Sequence, residues 1–123
     1  MADVENEATE PRQAEVPPQP VAVRVAGDLD IHHAEETRRT LLKAIGEAAP
    51  GAEVIIDLRY SSFCDSSGLD VLLAVRRTAM ESGHPLRLGA PGHQMLRLLA
   101  ATGTAGLFAK SHVLGREEPR STL

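Results

Sequence analysis

Residues 53–73 decide the fold, and they read EVIIDLRYSSFCDSSGLDVLL. Glu53–Leu58 is a near-continuous apolar run, which is typical of a central strand that is covered on both faces. The polar residues Arg59–Cys64 follow as a loop. Leu69–Met80 then carries apolar residues at helical spacing. The stretch therefore predicts a buried strand, a polar loop and a helix in succession.

The segments on either side repeat this alternation of strand and helix. Before the central strand, alternating apolar residues predict a strand over Val21–Ala26, and helical spacing predicts a helix from His32 to about Ala48. After it, the pattern predicts a short strand over Pro85–Leu88, a helix from Gly92 to Thr102 and a last short strand within Leu107–Leu114. The order β-α-β-α-β-α-β predicts an α/β fold, with a small mixed, mainly parallel sheet and crossover helices packed on it.

Each predicted helix has one apolar side that we expect to face the core. The expected core-facing residues are Ala34, Leu41, Leu42 and Ile45 in the first helix, Leu69, Leu72, Leu73, Ala79 and Met80 in the second, and Met95, Leu96, Leu98 and Leu99 in the third.

Composition and charge narrow the class of protein. The chain has 123 residues, enough for one domain with a modest core, and only three of them are aromatic. Few aromatic rings and a net charge of −4 argue against a nucleic-acid-binding surface, which is normally basic. The single cysteine, Cys64, excludes an internal disulfide and a Cys-rich zinc site and fits a reducing compartment. No apolar run approaches the roughly 20 residues of a membrane span, and the acidic first ten residues lack the apolar segment of a signal peptide.

The two ends of the chain differ from the middle. Residues 1–20 are acidic, contain four of the eight prolines and lack Leu, Ile and Phe. Such a composition cannot bury enough apolar surface to offset the entropy of ordering the chain. We therefore predict a disordered acidic, Pro-rich tail over residues 1–20, a folded domain over residues 21–115 and a flexible C-terminal tail over residues 116–123.

Asp65-Ser66-Ser67-Gly68-Leu69 is the segment most informative about chemistry. It lies where the polar loop enters a helix, so Asp65 or Ser66 is suited to be the N-cap. The unpaired N–H groups and partial positive charge of a helix start tolerate an anion, such as a phosphate on one of the two serines. Gly68 has no side chain and would let a partner surface approach closely. The simpler interpretation is that Asp65, Ser66 and Ser67 only cap the helix.

A catalytic nucleophile is disfavoured at this segment. A nucleophile elbow has the pattern G-x-S-x-G, whereas Cys64 and Asp65 stand where its first glycine would be needed. The sequence places none of the five histidines beside the serines. Cys64 is also a poor nucleophile, because the neighbouring carboxylate of Asp65 raises the pKa of a thiol.

Two other groups of residues suggest sites that their spacing argues against. Asp28, Asp30 and Asp57 follow two predicted strands and resemble the acid pocket of a phospho-receiver domain, but the 26 residues between Asp30 and Asp57 leave no room for a further βα unit. His32 and His33 are adjacent, and adjacent side chains point in different directions, so they cannot easily bind one metal ion. No glycine-rich nucleotide-binding motif occurs. We therefore predict no metal and no cofactor.

In order and spacing, three segments resemble the STAS-domain anti-sigma factor antagonists (anti-anti-sigma factors) of bacteria. They are Gly27-Asp28-Leu29-Asp30 with the helix that follows, Val54–Leu58 with Phe63 and Asp65-Ser66-Ser67-Gly68-Leu69, and Leu86-Arg87-Leu88 with Leu96–Leu99 and Thr102-Gly103. The resemblance covers about residues 21–114. Asp70 stands where members of that family often have glycine, so this helix start carries an additional negative charge.

The resemblance implies a regulatory switch in transcription rather than an enzyme. In that family the unphosphorylated domain binds an anti-sigma factor, which is also a Ser/Thr kinase of the histidine-kinase-like ATPase type, and a sigma factor is released. The kinase then phosphorylates the first serine of the motif, here Ser66 (Ser67 is the less favoured acceptor), and a PP2C-type phosphatase restores the active form. The partner-binding residues implied are Asp28, Asp30, Asp65, Ser66, Ser67, Gly68, Leu69 and Asp70.

Two alternatives to the phosphorylation switch stay open. The first is a STAS scaffold or ligand-sensing module that has no phospho-switch. The second is a hydrolase, which the failed nucleophile motif disfavours. For the first interpretation, the switch, we expect a cytoplasmic bacterial phosphoprotein, with a role in a stress response, that contacts neither nucleic acid nor membrane directly.

Overall fold

Strands and helices alternate along the chain in the predicted order. The structure, a computed structural model, describes residues 18–111. Its elements are β1 (Val21–Arg24), α1 (Ala34–Glu47), β2 (Val54–Asp57), α2 (Ser66–Glu81), β3 (Leu86–Gly89), α3 (His93–Ala101), a 3-10 turn (Ala105–Leu107) and β4 (Ala109–Ser111).

The described strands form one parallel sheet in the order β1-β2-β3-β4. In the register, Val23 lies beside Ile56, and Ile56 lies beside Leu88. Because βαβ crossovers are right-handed and the strand order runs in one direction, α1, α2 and α3 belong on a single face of the sheet. The predicted α/β fold, a mainly parallel sheet with crossover helices, is confirmed, and every described pairing is parallel.

The core lies between that face and the helices, and it is built mainly from aliphatic side chains. Val54, Ile56 and Leu88 point into it from the sheet and are fully buried. The buried helix residues are Leu41 and Ile45 of α1, Gly68, Leu69, Val71, Leu72, Val75 and Ala79 of α2, and Met95 and Leu99 of α3. Burying one Leu, Val or Ile side chain contributes about 1.5–3 kcal/mol, so this cluster is the main source of stability.

Some predicted core positions were wrong. Met80 is 59% exposed, whereas Val71 and Val75, which were not predicted to face inward, are buried. Met80 lies near the C-terminal end of α2, rotated by about 100° from the buried Ala79, on the side of the helix that faces water. Leu73, Ala34, Leu42 and Leu98 are half-buried and pack against the core cluster, as predicted. Leu96 is half-buried and does not belong to that cluster.

The second face of the sheet differs from the prediction. Ala22, Ile55, Arg87 and Ala109 form one row across it, with Ala22 and Ala109 exposed and Ile55 half-buried. None of these four belongs to the core cluster. The expectation that the central strand is covered on both faces was therefore wrong for the described part of the chain, because the crossovers lie on one side.

The ends of the described region bear on the predicted domain limits. Pro18–Pro20 are exposed and form neither helix nor strand. The last strand, Ala109–Ser111, lies within the predicted range Leu107–Leu114, and Leu107 itself belongs to the 3-10 turn. Residues 1–17 and 112–123 lie outside the described residues, so the predicted tails, and the end of the domain at residue 115, stay predictions. Within residues 18–111, none of the helices has the combined length and apolar composition of a membrane-spanning segment.

Candidate functional site

Asp65 caps helix α2. Its backbone is extended, and its Oδ1 atom accepts a hydrogen bond of 3.0 Å from the N–H of Gly68. This confirms one of the two N-caps that the sequence allowed and leaves Ser66 as the first helical residue. Ser66 is exposed, and within residues 18–111 its hydroxyl makes no hydrogen bond. The Ser66 hydroxyl is therefore available to another protein instead of being used to cap the helix.

Segment 63–65 lies beside the loop that follows β1. The N–H of Leu29 donates to the carbonyl of Phe63 (2.8 Å), and the N–H of Asp65 donates to the carbonyl of Leu29 (3.2 Å), which makes a parallel bridge between Leu29 and Cys64. The second carboxylate oxygen of Asp65, Oδ2, accepts from the N–H of Ile31 at 3.3 Å. Asp65 thus joins the start of α2 to the loop that carries Asp28 and Asp30, and the structure brings these two predicted site segments together.

Gly68 allows the close approach of these two segments. A Cβ atom at this position would lie 2.1 Å from the carbonyl oxygen of Leu29, far inside van der Waals contact. The space that the sequence predicted for a partner is therefore filled by this chain's own backbone. Gly68 and Leu69 are both buried, so they support the site from the interior, and contact of either with a partner stays a prediction.

The predicted acidic site residues differ in their surroundings. Oδ1 of Asp30 accepts from the backbone N–H groups of His32 and His33, both at 3.1 Å, and lies 2.7 Å from Nδ1 of His33. The hydrogen bond with the His33 ring, followed by the backbone bonds and the charge of that ring, lowers the pKa of Asp30. Asp30 therefore shapes the entry to α1. Asp28 is half-buried, and Asp70 is exposed one turn after Ser66.

The carboxylate of Asp57 interacts with Arg59, which lies in the loop between β2 and α2. This carboxylate accepts from the backbone N–H of Arg59 (3.0 Å), from Nε (3.2 Å) and from Nη2 (3.0 Å). Burial acts to raise the pKa of Asp57, but the hydrogen bonds from Arg59 and the charges of Arg59 and Arg24 outweigh it and lower the pKa. Both guanidinium groups also lie over the ring of Tyr60, at 4.6 Å for Arg24 and 5.3 Å for Arg59. Asp57 is thus tied to the β2–α2 loop, which agrees with the rejection of a receiver-type acid pocket.

Gln94 is the site residue that the sequence analysis missed. Its Oε1 accepts from the N–H of Cys64 at 2.8 Å, and its Nε2 donates to the carbonyl of Cys64 at 2.7 Å. One side chain of α3 therefore holds both backbone groups of the residue two positions before Ser66. The available signal was compositional, because Gln94 is the sole Asn or Gln between residues 21 and 111.

The thiol of Cys64 is held in its neutral form. Burial, with a smaller contribution from the charge of Asp65, raises its pKa to about 11. The prediction that Cys64 is a poor nucleophile is confirmed, since the thiolate is the reactive species. In the described region no group of three or more His, Cys, Asp or Glu side chains is arranged to hold a metal ion.

Comparison with known proteins decides the family. The family model described as "Mlab, STAS domain" matches residues 13–111. The chain belongs to the STAS-domain family. A curated relative, the anti-sigma-B factor antagonist of Bacillus subtilis (strain 168), is 30% identical over 83 residues, which are 68% of this chain and 73% of that protein. The resemblance to anti-sigma factor antagonists seen in the sequence is thereby confirmed.

Solved structures show the same fold for this STAS protein. One is the anti-sigma factor antagonist SpoIIAA in its unphosphorylated form, with a TM-score of 0.60 and 24% identity over 86% of this chain and 90% of the other. Another is the Bacillus cell fate determinant SpoIIAA in its phosphorylated form, with a TM-score of 0.60 and 23% identity over 88% of this chain and 94% of the other.

Proposed function

We propose that this STAS protein is an anti-sigma factor antagonist whose binding is switched off by phosphorylation of Ser66. The unphosphorylated form binds an anti-sigma factor that is also a Ser/Thr kinase of the histidine-kinase-like ATPase type, and a sigma factor is released. The observation that carries the proposal is the exposed hydroxyl of Ser66, which makes no hydrogen bond within residues 18–111, at the first position of a helix capped by Asp65. The curated relative that antagonises an anti-sigma factor supports the class of partner.

The chemistry of the switch belongs to the partners. The kinase transfers the γ-phosphoryl group of ATP to the Ser66 oxygen, the hydroxyl proton goes to a base of the kinase, and ADP leaves. A PP2C-type phosphatase returns the hydroxyl by hydrolysing the phosphate ester. This chain contributes the acceptor and its position, so we propose a binding module and no catalytic activity of its own.

A phosphate on Ser66 is compatible with the fold but not with the same partner surface. At the first turn of α2 the unpaired N–H groups and the helix dipole stabilise an anion by about 0.3–1 kcal/mol. The phosphate adds about −1.5 to −2 charges at pH 7, next to Asp65 and one turn from Asp70. A partner that fits the uncharged hydroxyl would meet both new bulk and new charge, so affinity falls while the domain stays folded.

Exposure favours Ser66 over Ser67 as the acceptor. Ser66 is exposed, whereas Ser67, the next residue of the helix, is half-buried. A kinase must reach the attacking oxygen with an in-line phosphoryl group, so the more exposed hydroxyl is the better substrate.

The proposed setting follows from the same partners. We place the protein in the bacterial cytoplasm, where a kinase and a sigma factor act, as a component of a stress response without direct contact to nucleic acid or membrane. The described residues carry ten acidic and ten basic side chains, so the part of the chain that the structure describes has no net basic charge of the kind expected for a nucleic-acid binder.

The proposal is tested by incubating the full chain with the kinase-type anti-sigma factors of the same bacterium and ATP, followed by peptide mass spectrometry. We expect one phosphate, located on Ser66, which is lost in Ser66→Ala and retained in the matched control Ser67→Ala. Ser66→Asp should keep its fold by circular dichroism and lose the partner in a pull-down. A chain that stays unmodified with each of these kinases would exclude the switch.

A second candidate, a ligand-sensing STAS module, is favoured by one feature. Between the end of β1 and α1 there is an open groove of about 280 Å³, lined by polar side chains that include Arg24, His33, Glu36 and Thr37. That volume is close to the lower limit of about 300 Å³ for small-molecule sites. If the protein is a ligand-sensing module, Ser66→Asp would leave partner binding unchanged. Thr37→Leu, which changes the lining of the groove, would weaken binding of the small-molecule ligand.

A further inference from the structure

The backbone of segment 63–65 has hydrogen-bonding groups on two sides. Along an extended segment, the N–H and C=O groups of alternate residues point in opposite directions. The carbonyl of Phe63 and the N–H of Asp65 bond to Leu29 on one side. The N–H and carbonyl of Cys64 therefore point to the other side, where β3 has already ended at Gly89. Cys64 is buried, so these two groups would be costly to leave unpaired.

The carboxamide of Gln94 supplies the missing partner on that side. A carboxamide offers the same donor and acceptor as a peptide group, and the two bonds to Cys64 are short, at 2.8 and 2.7 Å. Gln94 is the second residue of α3, so its backbone is fixed by the helix. Segment 63–65 is thus held between the backbone of Leu29 and one side chain of α3, in place of a neighbouring strand.

The other contacts of segment 63–65, which are its bonds to Leu29, the Asp65 carboxylate and the buried Cys64 side chain, do not pair the N–H and carbonyl of Cys64. The side chain of Phe63 is 45% exposed and does not anchor the segment. The cavity between the β2–α2 loop and α3, lined by Ser62, Gly92 and Gln94 among others, measures about 40 Å³, which is room for water but not for a metabolite. Removal of the carboxamide would let water reach Cys64 there, so the segment would open locally.

We propose that Gln94 is a positioning residue that holds segment 63–65, and through Asp65 the start of α2, in the geometry that presents Ser66. The regulatory meaning rests on the proposed function of Ser66, whereas the positioning itself is a property of this chain alone. A loosened segment would release the Asp65 carboxylate from Gly68 and Ile31, and the first turn of α2 would lose its cap.

Cys64 reports on this opening, because it is the single cysteine and is 1% exposed. In the full chain, labelling by an aromatic disulfide reagent at pH 8 should be slow for the unchanged protein. Gln94→Ala should speed it by at least about tenfold, since two hydrogen bonds that close the segment are lost. Gln94→Met keeps the length of the side chain and removes both hydrogen bonds without adding a charge beside the thiol, so it should also label faster than the unchanged protein.

A matched control separates positioning from general destabilisation. Thr102→Ala, at the other end of α3, removes hydrogen bonds to the carbonyls of Leu98 and Leu99 and should change labelling only as far as its urea midpoint shifts. The proposal fails if the increase in labelling rate of Gln94→Ala is no larger than the decrease in its urea midpoint accounts for, because Gln94 would then be an ordinary packing residue. Amide exchange at Gly68 gives a second check, because an unchanged rate in Gln94→Ala would show that the effect does not reach the start of α2. Neither measurement needs a kinase or a partner, so either can fail independently of the proposed switch.

Discussion

Gly68 shows how one residue sets the distance between two segments of the site. Its missing side chain lets the Leu29 carbonyl lie where a Cβ would otherwise be, at 2.1 Å. This contact is with backbone, which cannot rotate away as a side chain can. The glycine is therefore required by the packing of α2 on the loop after β1, independently of any partner.

Gly68→Ala should lower the free energy of unfolding by about 2–3 kcal/mol, because the added methyl group forces the loop and the helix apart. Gly46→Ala is the matched control, since Gly46 lies in α1 with no atom within 4 Å of an added Cβ. That variant should be more stable by about 0.5–1 kcal/mol, the difference in helix propensity. Urea unfolding of both measures the two changes, and equal stabilities would show that the Leu29 contact has little energetic effect.

At the scale of elements, the start of α2 is the point where separate parts of the chain meet. Asp65 links α2 to the loop after β1, and Gln94 links α3 to segment 63–65. Three elements thus converge on the residues immediately before Ser66. Ser66 therefore directly follows a segment whose backbone is hydrogen-bonded to the loop after β1 and to a side chain of α3.

Asp65→Ala should cost about 1–2 kcal/mol of unfolding free energy, because the cap of α2 and the bond to Ile31 are both lost. Asp65→Asn keeps one carbonyl oxygen for the Gly68 N–H and should lose about half as much. Urea unfolding measures the loss of unfolding free energy in both variants. Amide hydrogen exchange should become faster at Gly68 and Ile31, whose N–H groups lose the Asp65 acceptor in Asp65→Ala. Faster exchange spread evenly over α1 and α3 would contradict a local role.

For the whole molecule, the charge is divided between the described region and the start of the chain. Residues 18–111 contain equal numbers of acidic and basic side chains, whereas residues 1–17 contain five acids and one arginine. The net charge of −4 therefore arises from residues outside the described region. The stability of the described fold depends on pH through particular carboxylates, of which Asp57 and Asp30 have lowered pKa values.

Acid should destabilise the whole fold through these groups. A carboxylate whose pKa is lower in the folded state adds stability above its unfolded pKa, near 3.8, and that stability is lost as the pH falls through the folded pKa. Asp57→Asn should therefore lose about 1–2 kcal/mol at pH 7 and show a shallower fall in unfolding free energy below pH 4. Asp70→Asn, at an exposed position, should be nearly unchanged at pH 7. Urea unfolding from pH 2 to 7 measures this, and parallel curves for Asp57→Asn and the unchanged protein would contradict it.

The order of elements, the mainly parallel sheet, the family and the segment that carries Ser66 could all be predicted from the amino-acid sequence. These follow from local patterns: alternation in β1, helical spacing in α1 to α3, and a motif of contiguous residues from Asp65 to Leu69. Whether the cap was Asp65 or Ser66 stayed open at that level. Local periodicity also could not tell that Met80 faces water, because neighbouring helix residues can both be buried, as Val71 and Leu72 are, and only the packing shows that Ala79 is buried and Met80 is not.

The surroundings of Ser66, in contrast, could not be predicted from local patterns and became visible with the packing of the helices on the sheet. Gly68 meets the backbone of Leu29, 39 positions earlier, and Gln94 bonds to Cys64, 30 positions earlier. Such contacts depend on how the helices lie against the sheet, and no spacing within one element encodes them. The physical reason is that burial and hydrogen bonding must be satisfied in three dimensions, so a half-buried polar residue such as Gln94 finds its partner only when the fold brings α3 beside the loop before α2.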